Sequence, residues 1–161
     1  MMVTETQLWD ALNQVKDPEI PVVSLVEMGI IRNVTIAGDN SVTVIITPTF
    51  AGCPALQVMK TDIVDALKAI GVQKVTVETV NSPAWTTNWI TEEARAKLKA
   101  FGLAPPPVHG GNFVMTLMDA VECPYCGSER TSLRNSFGST PCRMIYYCNN
   151  CQQPFEQFKP L

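Results

Sequence analysis

Cys123-Pro124-Tyr125-Cys126-Gly127 and Cys148-Asn149-Asn150-Cys151 decide how the last third of this chain folds. Each is a Cys-x-x-Cys knuckle, and twenty-one residues separate the two. A two-residue gap lets both sulfurs of a knuckle reach one ion while backbone N–H groups turn toward them. Four thiolates suit a closed, tetrahedral, structural zinc site. Redox dithiols and iron–sulfur clusters use the same residues. A redox pair, however, usually opens a helix after a strand, whereas Pro124 and Gly127 suit a knuckle. Residues 130–137 and 143–147 lie between the knuckles and read as paired strands. The segment 113–161 is therefore expected to be a zinc ribbon. About 45 residues bury too little apolar surface to fold unaided, so metal binding and folding are coupled. Cys142 is surplus to a four-ligand site and reads as a small packed residue.

Upstream, Pro105-Pro106-Pro107 and Gly110-Gly111 mark a linker over 105–112, stiff and then flexible. His109 lies in it and carries no assignment. Residues 1–104 read as one α/β domain with an α+β-like, three-stranded mixed sheet and flanking helices. Thr4-Glu5-Thr6-Gln7 has the form of a capping box, with Leu8, Leu12 and Val15 on one helical face. Asp17-Pro18 stops that helix. Residues 30–36 and 41–47 form a hairpin about Gly38-Asp39-Asn40. A helix from Pro54 to about Ile70 buries Leu56, Met59, Ile63, Leu67 and Ile70 and ends at Gly71. A third strand over 72–80 then returns parallel, with Val75 and Val77 inward. Thr91 caps a last helix closed by Gly102.

Charge excludes some functions. Only 17% of residues are charged and the net charge is −3. Residues 113–161 carry four cations and four acids, which is no field for a phosphate backbone. The ribbon therefore reads as a protein docking module rather than a nucleic-acid reader. The low charge also points to association, a homodimer included. No run of apolar residues is long enough to span a membrane, and no secretory signal is legible. The expected compartment is the reducing cytoplasm, where six cysteines read as metal or reactive sites.

Three constellations outside the ribbon are candidates for chemistry. Cys53, in Gly52-Cys53-Pro54, is placed at the N-cap of the second helix, where the dipole lowers a thiol pKa. A buried capping cysteine accounts for it equally. Asp17-Pro18-Glu19 sets two acids at a helix end, a pattern that also merely terminates helices. Trp85-Thr86-Thr87-Asn88-Trp89 places two tryptophans in a loop, which either line a pocket or partner surface (Trp85, Thr86, Trp89) or pack over the sheet edge. No Ser/His/Asp arrangement and no phosphate-cradling glycine loop is present.

Asp17-Pro-Glu-Ile-Pro21, Glu27-Met-Gly29-Ile-Ile-Arg32, Gly52-Cys-Pro54, Ser82-Pro-Ala-Trp-Thr86 and Thr91-Glu-Glu-Ala-Arg95 keep the order and spacing of a known family. Over residues 8–102 the chain resembles the SufT-type iron–sulfur assembly family. Glu27-Met28 departs from that family's usual Asp-Leu. Phe137-Gly-Ser-Thr-Pro-Cys142 and Pro154-Phe155, with the fused ribbon, resemble the PaaD (PaaJ) family of phenylacetyl-CoA epoxidase systems. The resemblance implies a non-catalytic accessory protein of aerobic phenylacetate degradation that assists maturation of an iron–sulfur or di-iron centre. It makes Cys53, Asp17 and Glu19 candidates for transient iron or cluster transfer, beside structural zinc. The implied partners are the oxygenase or reductase components of that system. A purely structural docking subunit is the alternative.

Overall fold

Thr4 starts the first helix as its sequence requires. Its Oγ1 accepts from the Gln7 backbone N–H at 3.3 Å, and Gln7 Oε1 accepts from the Thr4 N–H at 3.0 Å. This closed capping box opens α1 (Glu5–Asn13), and Leu8, Leu12 and Val15 are buried beneath it. The computed structural model describes residues 2–111 and 119–161.

After α1 the chain runs through turns to β1 (Ile31–Ile36). Ser24 and Glu27 close one of these turns reciprocally. The Ser24 N–H donates to Glu27 Oε2 at 2.8 Å, and the Glu27 N–H donates to Ser24 Oγ at 3.1 Å. Glu27 therefore keeps the capping chemistry that a shorter acid would supply at this position.

β1 pairs antiparallel with β2 (Val42–Ile46), turning at Asn40 with φ +59°. The crossover is α2 (Leu56–Ala69), and β3 (Val75–Thr79) returns parallel to β2 with Val44 opposite Val77. The sheet order is β1-β2-β3. Val42, Val44 and Ile46 point to one face with period two and are buried. Met59, Ile63 and Leu67 of α2 are buried at helical spacing. The expected stripe is too long at both ends. Leu56 is half-buried, and Ile70 is exposed because it is already the C-cap, turning out of the helix before Gly71 at φ +98°.

α3 (Glu92–Ala100) is capped by Thr91, whose Oγ1 accepts from the Ala94 N–H at 3.1 Å. β4 (Leu103–Ala104), β5 (Thr131–Asn135), β6 (Arg143–Cys148) and β7 (Pro154–Phe158) form a second sheet in the order β4-β7-β6-β5. β5 and β6 are the expected pair. β4 and β7 were not expected: β4 has two residues, too few for a periodicity, and β7 opens on a proline, tolerated only at a strand's first position or an edge.

These additions move the division of the chain. The two compact units are Met1–Trp85 and Thr86–Leu161. The domain expected over 1–104 thus ends earlier, and the linker expected at 105–112 lies inside the second unit. The cause is β4, which pairs parallel with β7 through Leu103↔Glu156 and Ala104↔Gln157. Arg95 adds to it, donating to the Thr87 carbonyl at 2.7 Å and to the Pro106 carbonyl. The end of that linker at 112 and the expected start of the ribbon at 113 lie outside the described residues.

Candidate functional site

The two knuckles fold alike. In the first, the Cys123 N–H donates to the Ser128 carbonyl and the Gly127 N–H to the Cys123 carbonyl, both at 2.9 Å. In the second, the Cys148 N–H donates to the Gln153 carbonyl at 2.9 Å and the Gln152 N–H to the Cys148 carbonyl at 3.0 Å. Each turn needs one left-handed residue. Gly127 takes φ +72°, and Gln152 fills the equivalent place at φ +60°.

The four sulfurs converge. Cys123 Sγ lies 3.7 Å from Cys151 Sγ, and Cys126 Sγ lies 3.6 Å from Cys148 Sγ. All four lie within 4.8 Å of one another. A tetrahedral zinc–thiolate site with bonds of about 2.3 Å has edges of about 3.8 Å. The edges of 3.6 and 3.7 Å match such a site, and the four sulfurs are grouped closely enough to take the ion. Backbone and side-chain groups address the sulfurs as a second layer. The Cys151 N–H donates to Cys148 Sγ at 3.4 Å, and Asn150 Nδ2 donates to Cys126 Sγ at 3.7 Å.

The thiols differ in acidity. The Ser128 N–H, then Asn150, bring Cys126 down to about 6. Burial, then the neighbouring Cys148 thiol, pushes Cys151 up to about 12. A divalent cation among them removes that split, because its charge stabilises every thiolate. Among the described residues this is the only group of three or more Cys, His, Asp or Glu close enough to share an ion. Cys142 stays outside it, buried, with its sulfur 3.0 Å from Thr140 Oγ1.

Cys53 is not an N-cap. Ala55 holds that position with no side-chain hydrogen bond, and the Leu56 N–H donates to the Cys53 carbonyl at 3.1 Å to form the turn that precedes α2. Its thiol is raised, not lowered. Burial is the main cause, since Cys53 is 8% exposed. The backbone of Ala55 and Leu56 opposes this, and the Glu19 and Asp17 carboxylates add to the rise.

Those two carboxylates thus act on the Cys53 thiol together. Asp17 is buried, and its Oδ1 accepts from the Glu19 N–H at 2.8 Å and the Ile20 N–H at 3.0 Å. This Asx-type turn fixes where Glu19 leaves the chain. The acid-proline-acid pattern is a built turn rather than a simple helix stop.

The tryptophan loop divides. Trp85 is buried, and its Nε1 donates to the Met28 carbonyl at 2.9 Å, so it anchors the first unit rather than offering a partner face. One side of it lines a small cavity with Thr47, Phe50, Ala51 and Asn81. Thr86 and Trp89 belong to the second unit. Thr86 caps a single 3-10 turn over Thr87–Trp89, and Trp89 is half-buried.

Sequence reasoning passed over Thr87 and His109. Both hold Leu161, whose carbonyl accepts from the Thr87 N–H at 3.0 Å and lies 2.7 Å from His109 Nε2. A lone histidine in a proline-rich stretch gives no local signal for a partner 52 residues away.

Comparison with known proteins fits this architecture. Residues 5–80 match the model of the iron–sulfur cluster assembly protein family, and residues 110–159 match that of the PaaD zinc beta ribbon domain. An Escherichia coli protein whose name makes it a component of 1,2-phenylacetyl-CoA epoxidase is 40% identical over 153 residues, 95% of this chain and 91% of its own. A Porphyromonas gingivalis protein named "Fe-S protein maturation auxiliary factor" is 34% identical over 96 residues, 59% of this chain and 90% of its own. The crystal structure of a domain of unknown function, DUF59, from Bacillus anthracis superposes with a TM-score of 0.55 at 28% identity, covering 58% of this chain and 90% of that one. Homology of this kind supports an accessory role in iron–sulfur-related function. With an iron–sulfur assembly domain and a metal-binding cysteine ribbon in one chain, and a relative matched nearly end to end, the protein belongs to the PaaD family.

Proposed function

We propose that this protein is a cytoplasmic, non-catalytic accessory component of a phenylacetyl-CoA epoxidase system. In this reading it delivers iron or an iron–sulfur cluster to the system's oxygenase or reductase component, and zinc fills the four-cysteine cluster. The observation that carries the proposal is an iron–sulfur cluster assembly match over residues 5–80 in a chain that aligns nearly end to end with an epoxidase component. The Asp17 and Glu19 carboxylates, which help to raise the Cys53 thiol, point to where cargo would be held. The epoxidase-component name of the Escherichia coli relative and the maturation-factor name of the Porphyromonas gingivalis relative support it.

The chemistry follows from the charges. Burial and two carboxylates keep the thiol protonated. Cys53, Asp17 and Glu19 are not close enough to share an ion as the chain stands, so iron arriving as cargo has to draw the carboxylates in. It neutralises them, and the thiol then loses its proton to solvent and becomes a sulfur ligand. When the iron departs, the proton returns. Such a ligand set holds cargo only while it is present, which suits transfer better than storage.

The test is the iron content of the oxygenase and reductase purified from cells with and without this protein. The proposal expects one client to lose its centre in the deletion strain, and Cys53→Ser not to restore it. Full iron loading of both clients in the deletion strain removes the proposal.

A further inference from the structure

The ribbon's outer face holds aromatic groups open to solvent. β6 alternates: Met144, Tyr146 and Cys148 point into the small core, and Arg143, Ile145 and Tyr147 point out. On the outer side a groove is lined by Phe101, Tyr125, Ile145, Pro154 and the Arg143–Glu156 ion pair. Phe101 and Tyr125 are both about half exposed.

Beside it, the loop between β5 and β6 carries Phe137, which is 68% exposed. The loop is fixed in place by Glu156 of β7. Glu156 Oε1 accepts from the Ser139 N–H at 2.7 Å, and Oε2 accepts from Ser139 Oγ and Arg143, both at 3.0 Å. Gly138 is needed here, because a Cβ would come within 3.1 Å of the Arg143 backbone. The Gly-Ser-Thr-Pro-Cys motif thus builds a rigid support that keeps a phenylalanine out of the core.

Two cations, Arg134 and Lys159, stand over exposed or half-exposed rings of this face. Between Glu129 and Glu156 the chain has three arginines and no acid, and one of the three, Arg143, is paired with Glu156. Lys159 Nζ lies 4.7 Å from the Phe137 ring centre, and Arg134 lies 5.1 Å from that of Tyr147. Glu156, the nearest carboxylate to the loop's amide groups, is consumed by the loop itself.

A preordered aromatic knob beside an aromatic groove, rimmed by cations, has the make-up of a protein–protein hot spot. We infer that this face docks an acidic protein surface, with Phe137 entering an apolar pocket on the partner and Arg134 and Lys159 meeting its carboxylates. A single-stranded nucleic acid also stacks on aromatics, but it needs a basic track longer than these few cations provide. The identity of the partner as an epoxidase component rests on the function proposed above.

The experiment titrates the zinc-bound full chain with the purified reductase and oxygenase components by calorimetry. Phe137→Ala and Arg134→Glu each weaken binding of one component at least tenfold, with zinc content and circular dichroism unchanged. Wild-type affinity in both surface variants overturns the docking face and leaves the client reading standing. No binding of the wild type to either component overturns both. Phe137-dependent binding to a single-stranded oligonucleotide, or Phe137-dependent self-association without component binding, overturns the inference in favour of nucleic acid or a second copy.

Discussion

His109 Nε2 lies 2.7 Å from the Leu161 carbonyl oxygen, which joins the proline-rich stretch to the segment after β7. The same oxygen accepts from Thr86 Oγ1 at 2.7 Å and from Thr87 Oγ1 at 3.2 Å, and the Leu161 N–H donates back to Thr87 Oγ1 at 3.3 Å. Asn88 completes the junction, with its Nδ2 donating to the His109 carbonyl at 2.7 Å. Thr87 is fully buried at the centre. Thr87→Val keeps the shape and removes the hydroxyl, leaving the Leu161 N–H short of a partner while the Leu161 carbonyl keeps Thr86, His109 and the Thr87 N–H. The expected cost is about 1–3 kcal/mol, read as a lower denaturation midpoint with unchanged slope. Amide exchange at Leu161 rises with it, whereas a mutation of equal cost in α2 leaves that amide protected.

Glu156 makes the ribbon's stability depend on pH. Burial alone raises its pKa, but the Ser139 N–H, the Arg143 guanidinium and the Ser139 hydroxyl together outweigh that, and the carboxyl ends below its ordinary 4.5. A depressed folded-state pKa contributes stability that is present above the unfolded value and disappears as pH falls through the folded one. Glu156→Gln is therefore less stable than the wild type at neutral pH, and the gap closes below 4.5. Comparing the two proteins over the same pH series cancels the loss of thiolate ligands, which acid causes in both. A gap that stays constant from neutral to acid pH removes this account.

Gln152 occupies in the second knuckle the left-handed position that Gly127 occupies in the first. A side chain in that region carries a strain of about 1 kcal/mol that glycine avoids. Gln152→Gly is expected to raise the melting temperature of the zinc-loaded protein by a few degrees, about 4–8 °C per kcal/mol for a unit of this size. Gly127→Ala is expected to act in the opposite direction. Competition with a chelator checks both: zinc is held longer in the first variant and released sooner in the second.

The parts of this fold that were legible from sequence are those held by neighbours in the chain. The Thr4 capping box, the Thr91 cap, the turn at Asn40 and the two knuckles are all local, and each stands where its residues require. The β2-α2-β3 crossover was legible because Val42, Val44, Ile46 and then Met59, Ile63, Leu67 switch from period two to helical spacing. What escaped depends on partners far away. β4 exists because β7 is beside it. The rise in the Cys53 thiol escapes a reading of its position as a cap, where a dipole dominates, because the fold supplies burial and the carboxylates of Asp17 and Glu19 instead. Arg95 has the sequence setting of an exposed helix residue, yet it clamps the Thr87 and Pro106 carbonyls.

Removing the metal should separate the two units by their stability. Cys123 and Cys148 are fully buried members of a small core with Ala104, Val121, Met144, Tyr146 and Phe155. The ligands are thus part of that core itself. Four unneutralised thiols within 4.8 Å of one another cannot ionise together, so without the ion the core they share loses the bond that ties its two knuckles. The first unit lacks that dependence, because Leu8, Leu12, Val44, Ile46, Ile63 and Leu67 are buried around its own sheet and helices. Chelation is therefore expected to abolish amide protection in β5, β6 and β7 while β2 and α2 keep theirs. Trp85, anchored on Met28 in the first unit, should keep its buried emission, and the Trp89 signal should shift toward solvent. Readding zinc should restore the second sheet, and loss of protection in β2 at the same chelator concentration as β6 would falsify independent cores.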